Sequence, residues 1–117
     1  MHNGPIVSKT FDFSINICKY CGFLETRRQY LISNQLLKCG TSIGANVFEA
    51  QSSESRNDFI HKMKIAQKEA NETLYWLMLC NKIGELDNNQ ELLNKLNEIM
   101  IILSRIIVTG KQNLNKL

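Results

Sequence analysis

Four cysteines, two histidines and one close pair of glutamates are the residues through which this chain of 117 would do chemistry. Cys18-Lys19-Tyr20-Cys21 has the C-x-x-C spacing of zinc and redox sites, and Cys39 and Cys80 would complete four thiolates. The rest of such a site is missing. There is no second C-x-x-C, no histidine directly after Cys21 and no Gly-Pro step between the cysteines. Cysteine on an apolar helical face usually serves as a small core residue, so free thiols are expected and neither metal nor cofactor is. His2 and His61 stand far apart, and no recognisable pattern sets a Ser or Cys nucleophile beside either. Glu69 and Glu72 resemble the paired carboxylates of di-iron bundles, yet the Glu-x-x-His steps those centres require are absent. Salt bridges to Arg or Lys, within the chain or across subunits, are the expected use of this pair. No catalytic residue follows from these patterns, and an enzyme is not expected.

The cations form a clearer pattern. Net charge is +3, and the excess is local: residues 1–26 and 85–117 balance, 27–54 carry +1 and 55–84 carry +2. At 100° per residue, His61, Lys64, Lys68, Tyr75 and Lys82 fall within about 60° of one another around a helix. Cations with an aromatic among them suit a phosphate backbone and an unstacked base, although a solvated helix face also commonly carries lysine. Arg27, Arg28, Lys38 and Arg56 would extend the patch if the fold brings them near.

The elements that position these residues are helices. A single proline, Pro5, leaves nearly the whole chain free for helix, and hydrophobic content of 44% is ordinary for a globular domain. The expected architecture is all-α, one domain over residues 1–117, with helices at about 8–24, 27–52, 56–83 and 89–113. Thr26 with Gln29, and Ser55 with Asp58, match N-terminal capping signatures, and Gly84 reads as a C-terminal cap. Phe11, Ile15, Cys18 and Gly22 share one stripe of the first helix, and Phe13, Ile17 and Leu24 another. Phe59, Met63, Ala66, Ala70, Leu74, Leu77 and Cys80 form the core seam of the third. Its second stripe, Ile65, Trp76, Leu79 and Ile83, exceeds what a lone bundle hides and points to self-association. In the last helix Leu93, Leu96, Met100, Leu103, Ile107, Gly110 and Leu114 give the strongest periodicity, with Ile101, Ile102 and Val108 outside the stripe. Short turns predict an antiparallel up-down-up-down four-helix bundle.

The second helix carries an unusual run, Leu36 to Ala50, with Gly40 and Gly44 one turn apart in its interior. Each glycine costs roughly 1 kcal/mol there relative to alanine, so a close helix contact is expected to offset the loss. The opposite face, Thr41, Ser42, Ala45, Asn46 and Glu49, is small and weakly polar, and is expected as a second packing face between subunits. With Ile65, Glu69, Glu72, Trp76 and Leu79 of the third helix it makes the candidate oligomer interface.

Gln35 to Ala50, then Asp58-Phe59-Ile60 and Ile65 to Leu77 with its Tyr75-Trp76 pair, resemble the bacterial four-helix-bundle proteins encoded by intervening sequences within 23S ribosomal RNA genes. The resemblance covers the central half of the chain well and the ends by pattern. It implies a homopentamer, a role in binding RNA and kinship to the accessory protein of diversity-generating retroelements; it offers no catalytic residues. The cysteine-rich first helix and Thr26-Arg27-Arg28 depart from the family's usual character.

The N-terminus lacks a basic region followed by an apolar stretch, so no secretory signal is expected. Nor does any stretch reach the about eighteen apolar residues that span a bilayer, since Arg105 interrupts the longest. The expected protein is cytoplasmic, non-catalytic and homo-oligomeric, binding ribosomal or other structured RNA through the basic surface. The alternative is an interaction scaffold, for example for a reverse transcriptase, with no nucleic-acid contact of its own.

Overall fold

The computed structural model describes residues 4–86 and 88–115, so His2 and Asp87 lie outside the described residues. Among these the chain forms four helices and no strand: α1 (Gly4–Thr26), α2 (Tyr30–Ala50), α3 (Arg56–Lys82) and α4 (Gln90–Asn115). Number and order agree with the hydrophobic periodicity; several ends do not. α1 starts ahead of the expected Ser8 because Pro5 stands in its first turn, where a missing N–H leaves no bond unmade. It also outlasts the expected Leu24. Thr26 ends α1, its hydroxyl bonded back to Phe23 O at 2.5 Å, so it is not the cap of the next helix. Arg28 then takes a left-handed φ of 60°, and α2 begins at Tyr30 behind Gln29, which caps with no side-chain bond. The second signature holds: Ser55 Oγ accepts from Asp58 N at 3.0 Å. In the α3–α4 turn the left-handed residue is Glu85, φ 68°, rather than the expected Gly84.

Each helix packs on two others, in the cycle α1–α2–α3–α4–α1, and α2 makes fuller contact with both neighbours than α4 makes with α1. Going up α2, Ser33 meets Cys21, Gly40 meets Ile17 and Gly44 meets Thr10, so successive positions descend α1. Glu49 pairs with Lys62 between α2 and α3, and Gln67 bonds Ser104 and Gly110 lies on Ile60 between α3 and α4. The molecule is 52 Å long and 21 Å across.

The two glycines explain how tightly α1 and α2 fit. A Cβ on Gly40 would stand 2.9 Å from Cγ1 and Cγ2 of Ile17, and one on Gly44 would stand 3.0 Å from the Thr10 carbonyl oxygen. Below them Phe13, Ile17 and Leu24 meet Leu36, Ile43, Met63, Leu77, Leu96 and Leu103, all wholly buried. At one end a polar cluster ties α1 and α3 to the turn that leads into α4. Tyr20 Oη donates to Leu86 O, and Asn89 Nδ2 donates to Tyr20 Oη at 3.2 Å and to Leu77 O at 3.1 Å.

Gly40→Ala tests the contact. Overpacking a full core costs roughly 1–3 kcal/mol, more than the about 1 kcal/mol alanine gains in helix propensity. Urea titration should show a net loss of up to about 2 kcal/mol on that balance. Gly22→Ala is the control: nothing lies within 4 Å of its Cβ, and it should gain about 0.5–1 kcal/mol.

Candidate nucleic-acid interface

The outer face of α3 is set by the helix's own period. With Phe59, Met63, Ala66, Ala70 and Leu77 facing the core, His61, Lys64, Lys68, Tyr75 and Lys82 are driven to the opposite side, and all five are exposed. At 1.5 Å per residue the stripe runs about 32 Å. Tyr75 is 60% exposed and stands edge-on to Trp76, ring centroids 5.2 Å apart and planes at 83°. Trp76 is in turn half-buried against the core, its Nε1 donating to Glu72 at 3.2 Å. The tyrosine is thus braced with a face open to solvent.

Charge pairing separates two sides of the same helix. Lys62, toward α2, pairs with Glu49 at 3.1 Å, whereas Lys64, Lys68 and Lys82 have no carboxylate partner among the described residues. A fourth lysine joins them from α4. Lys111 lies against Lys64, and hydrogen bonding and charge from that amine hold it below the usual lysine range. Nothing in its own sequence neighbourhood signals this, because it depends on how α4 lies over α3. Arg27 and Arg28 sit elsewhere, in the α1–α2 turn. Arg27 pairs with Glu85 at 3.2 Å and stacks 5.3 Å from the Phe23 ring centroid; Arg28 is exposed.

The candidate interface residues divide between two seams. Ser42 and Asn46 share the side of α2 that carries Cys39, next to Thr73 and Glu69 of α3. Their polar groups turn inward to the helix: Asn46 Nδ2 donates to Ser42 O at 2.8 Å and Ser42 Oγ to Lys38 O at 2.7 Å. Glu69 and Glu72, expected in salt bridges, form none within the chain among the described residues. Thr41 and Ala45 instead line the opposite side, toward α1. The second stripe of α3 is better covered than its spacing implies, since Ile65, Trp76, Leu79 and Ile83 are each half-buried.

A bare apolar surface lies at the α1–α2 seam. Phe11 and Phe48, 64% and 69% exposed, flank an open groove of about 860 Å³ with Val7, Thr41, Gly44 and Ala45 on its walls. Ile15, 42% exposed, and Cys18 continue the same stripe of α1. The sequence pattern marks Phe11 and Ile15 as a second stripe but not Phe48 as their neighbour across the seam.

Cys18 alone among the thiols is exposed; Cys21, Cys39 and Cys80 are buried on three different helices. Burial pushes the Cys21 thiol up to about 11, with Ser33 O accepting from Sγ at 3.4 Å, and pushes Cys39 and Cys80 up as well. No group of three or more His, Cys, Asp or Glu placed to hold a metal occurs among the described residues. No helix among them is long and apolar enough to cross a membrane.

Fold and surfaces together define a small all-α protein of four helices with bundle-like packing. The chain belongs to the family described as 23S rRNA-intervening sequence protein, whose model matches residues 3–105. It is similar to the crystal structure of a protein with unknown function from the S23 ribosomal protein family of Bacteroides thetaiotaomicron. The two are 40% identical over 87% of this chain and 97% of that one, with a TM-score of 0.83. No curated protein matches the chain.

Thiol chemistry checks the placement. A disulfide reagent should label one cysteine in the folded protein, Cys18, and all four after unfolding. The unfolded chain releases the Cys21 proton near the ordinary value of 9.0 and the folded chain only near 11. Stability should therefore be full below pH 9.0 and decline as pH rises toward about 11, as urea midpoints will register.

Proposed function

We propose that this is a non-catalytic, cytoplasmic RNA-binding protein that assembles as a homo-oligomer of antiparallel up-down-up-down bundles and meets RNA with the outer face of α3. The unpaired state of Lys64, Lys68 and Lys82, beside a Lys62 that is neutralised by Glu49, carries the reading. Ammonium groups with no local counter-charge gain most from releasing the counterions of a phosphate backbone. The open ring of Tyr75 supplies a stacking surface among them. The reversal of register between neighbouring helices supports the antiparallel arrangement, and the family resemblance supports five subunits. Five copies would present several such stripes to one RNA strand, raising the effective concentration for each further contact.

Lys64→Glu with Lys68→Glu is the direct test. Binding of a hairpin RNA should weaken by well over tenfold, and the slope of log affinity against log salt should become shallower by about 2, one for each lysine. Unchanged binding would remove this face from consideration.

The groove between Phe11 and Phe48 favours a second reading, an interaction scaffold that docks protein, a reverse transcriptase among the candidates. Pull-down with and without nuclease separates the two readings. Within the first, the groove is a place where copies meet, because exposed apolar patches of this kind mark contact surfaces. Phe48→Glu should lower the mass seen by light scattering toward the 13.5 kDa of one chain. Thermal stability of the subunit should stay close to wild type, since the side chain is 69% exposed. An unchanged mass would place the subunit contact elsewhere.

A further inference from the structure

We propose that Glu72 and Tyr75 of α3 read one unpaired guanine, with Lys68 and Lys82 taking the strand on either side of it; the proposal rests on the RNA reading and names what that face selects. Glu72, Tyr75 and Trp76 lie within one turn of the helix, and Trp76 holds the other two. Half-buried against the core, it donates through Nε1 to Glu72 Oε2 at 3.2 Å, and its ring meets Tyr75 with centroids 5.2 Å apart and planes at 83°. Carboxylate and phenol ring are therefore both set by an anchored side chain. Tyr75 is 60% exposed and Met78, three residues on, is 55% exposed. An apolar surface thus faces outward in the middle of a basic stripe. The charge of Glu72 decides what can lie there. A carboxylate among lysines weakens a surface built only for phosphate, yet it suits the edge of a base. Glu72 forms no ion pair among the described residues, and the one bond from Trp76 leaves most of its acceptor sites open. Of the four bases only guanine presents two adjacent N–H donors, at N1 and N2, on its Watson–Crick edge, the match for the two oxygens of a carboxylate. A base held by that edge cannot be paired, so a loop or single strand is selected over duplex. Lys68 and Lys82 stand seven residues to either side of Tyr75, about 10 Å along the axis, and neither has a carboxylate partner among the described residues. They serve the phosphates before and after the guanine.

Four hairpin RNAs that differ in one loop base, and a duplex of the same length, test it by fluorescence anisotropy. The guanine loop should bind on the order of tenfold tighter than the adenine, cytosine or uracil loop, and the duplex more weakly than the guanine loop. Glu72→Gln should erase the difference between loops, because an amide offers one acceptor and one donor group in place of two acceptors. Tyr75→Leu should instead weaken every loop by about tenfold, since stacking tolerates any base. Both side chains are exposed, and circular dichroism should show the helix content of the wild type in each variant. Loops bound alike whatever the base, a duplex bound as tightly as the guanine loop, or a preference that survives Glu72→Gln would overturn the proposal and leave the RNA reading standing. If no RNA binds, the RNA reading falls and free nucleotide decides. Trp76 is the only tryptophan, so guanosine monophosphate should then quench its emission more than the other three nucleoside monophosphates do. That result keeps the guanine site without RNA, and an equal response to all four overturns it.

Discussion

The contact of α1 with α2 at Gly40 and Gly44 is the constraint from which the other surfaces follow. Two glycines in a helix interior give up about 2 kcal/mol of propensity, and the recovered term is dispersion between atoms that any side chain would have separated. Ile17 fills the space above Gly40, and the backbone of Thr10 reaches Gly44. Gly44 does a second thing. It also lines the groove between Phe11 and Phe48, so the missing side chain that lets the helices touch leaves the outer edge of the seam open. Close packing inside and bare apolar surface outside are two results of one substitution pattern.

Charge is distributed with a similar economy. Lys9 pairs with Glu98, Lys62 with Glu49 and Arg27 with Glu85, each joining two elements. Exposed pairs of this sort are worth about 0–1 kcal/mol, so their weight is in orientation more than in stability. Their effect on the surface is larger. They leave Lys64, Lys68 and Lys82 without an ion-pair partner among the described residues, and the exposed Glu72, one turn from Lys68, accepts from Trp76 instead.

Period-3.6 hydrophobicity made the four helices legible, because Phe59, Met63, Ala66, Ala70 and Leu77, or Leu96, Leu103 and Ile107, bury wherever the helix is placed. Ser55 was legible for a local reason: its acceptor and the Asp58 amide lie within one turn. Thr26 misled for a reason equally local. Its hydroxyl can bond backward to Phe23 as well as forward, and sequence does not rank the two. The outward lysines of α3 could be read from one helix, whereas Lys111 could not, since its neighbour is on another. The polar cluster of Tyr20, Asn89, Leu77 O and Leu86 O escaped for the same reason: it joins residues 66 and 69 positions apart. Partial cover of Ile65, Trp76 and Leu79 also depends on tertiary placement, and it shifts the case for self-association from α3 to the α1–α2 groove.

Net charge is a poor guide to what such a surface can do. At physiological salt, fields between exposed charges fade over about 8 Å, far less than the 52 Å length of the molecule. A polyanion lying on α3 therefore responds to the lysines beneath it and hardly at all to balanced segments at the far side. This makes the +3 of the whole chain less informative than the unpaired stripe. It also fixes what oligomerisation would contribute. Copies separated by more than a screening length would not deepen one another's potential much, but they would present several weak stripes to one strand, raising the effective concentration for each further contact. On the proposed reading, assembly through the apolar groove and binding through α3 are linked by multivalency, and the two faces need not touch for one to depend on the other.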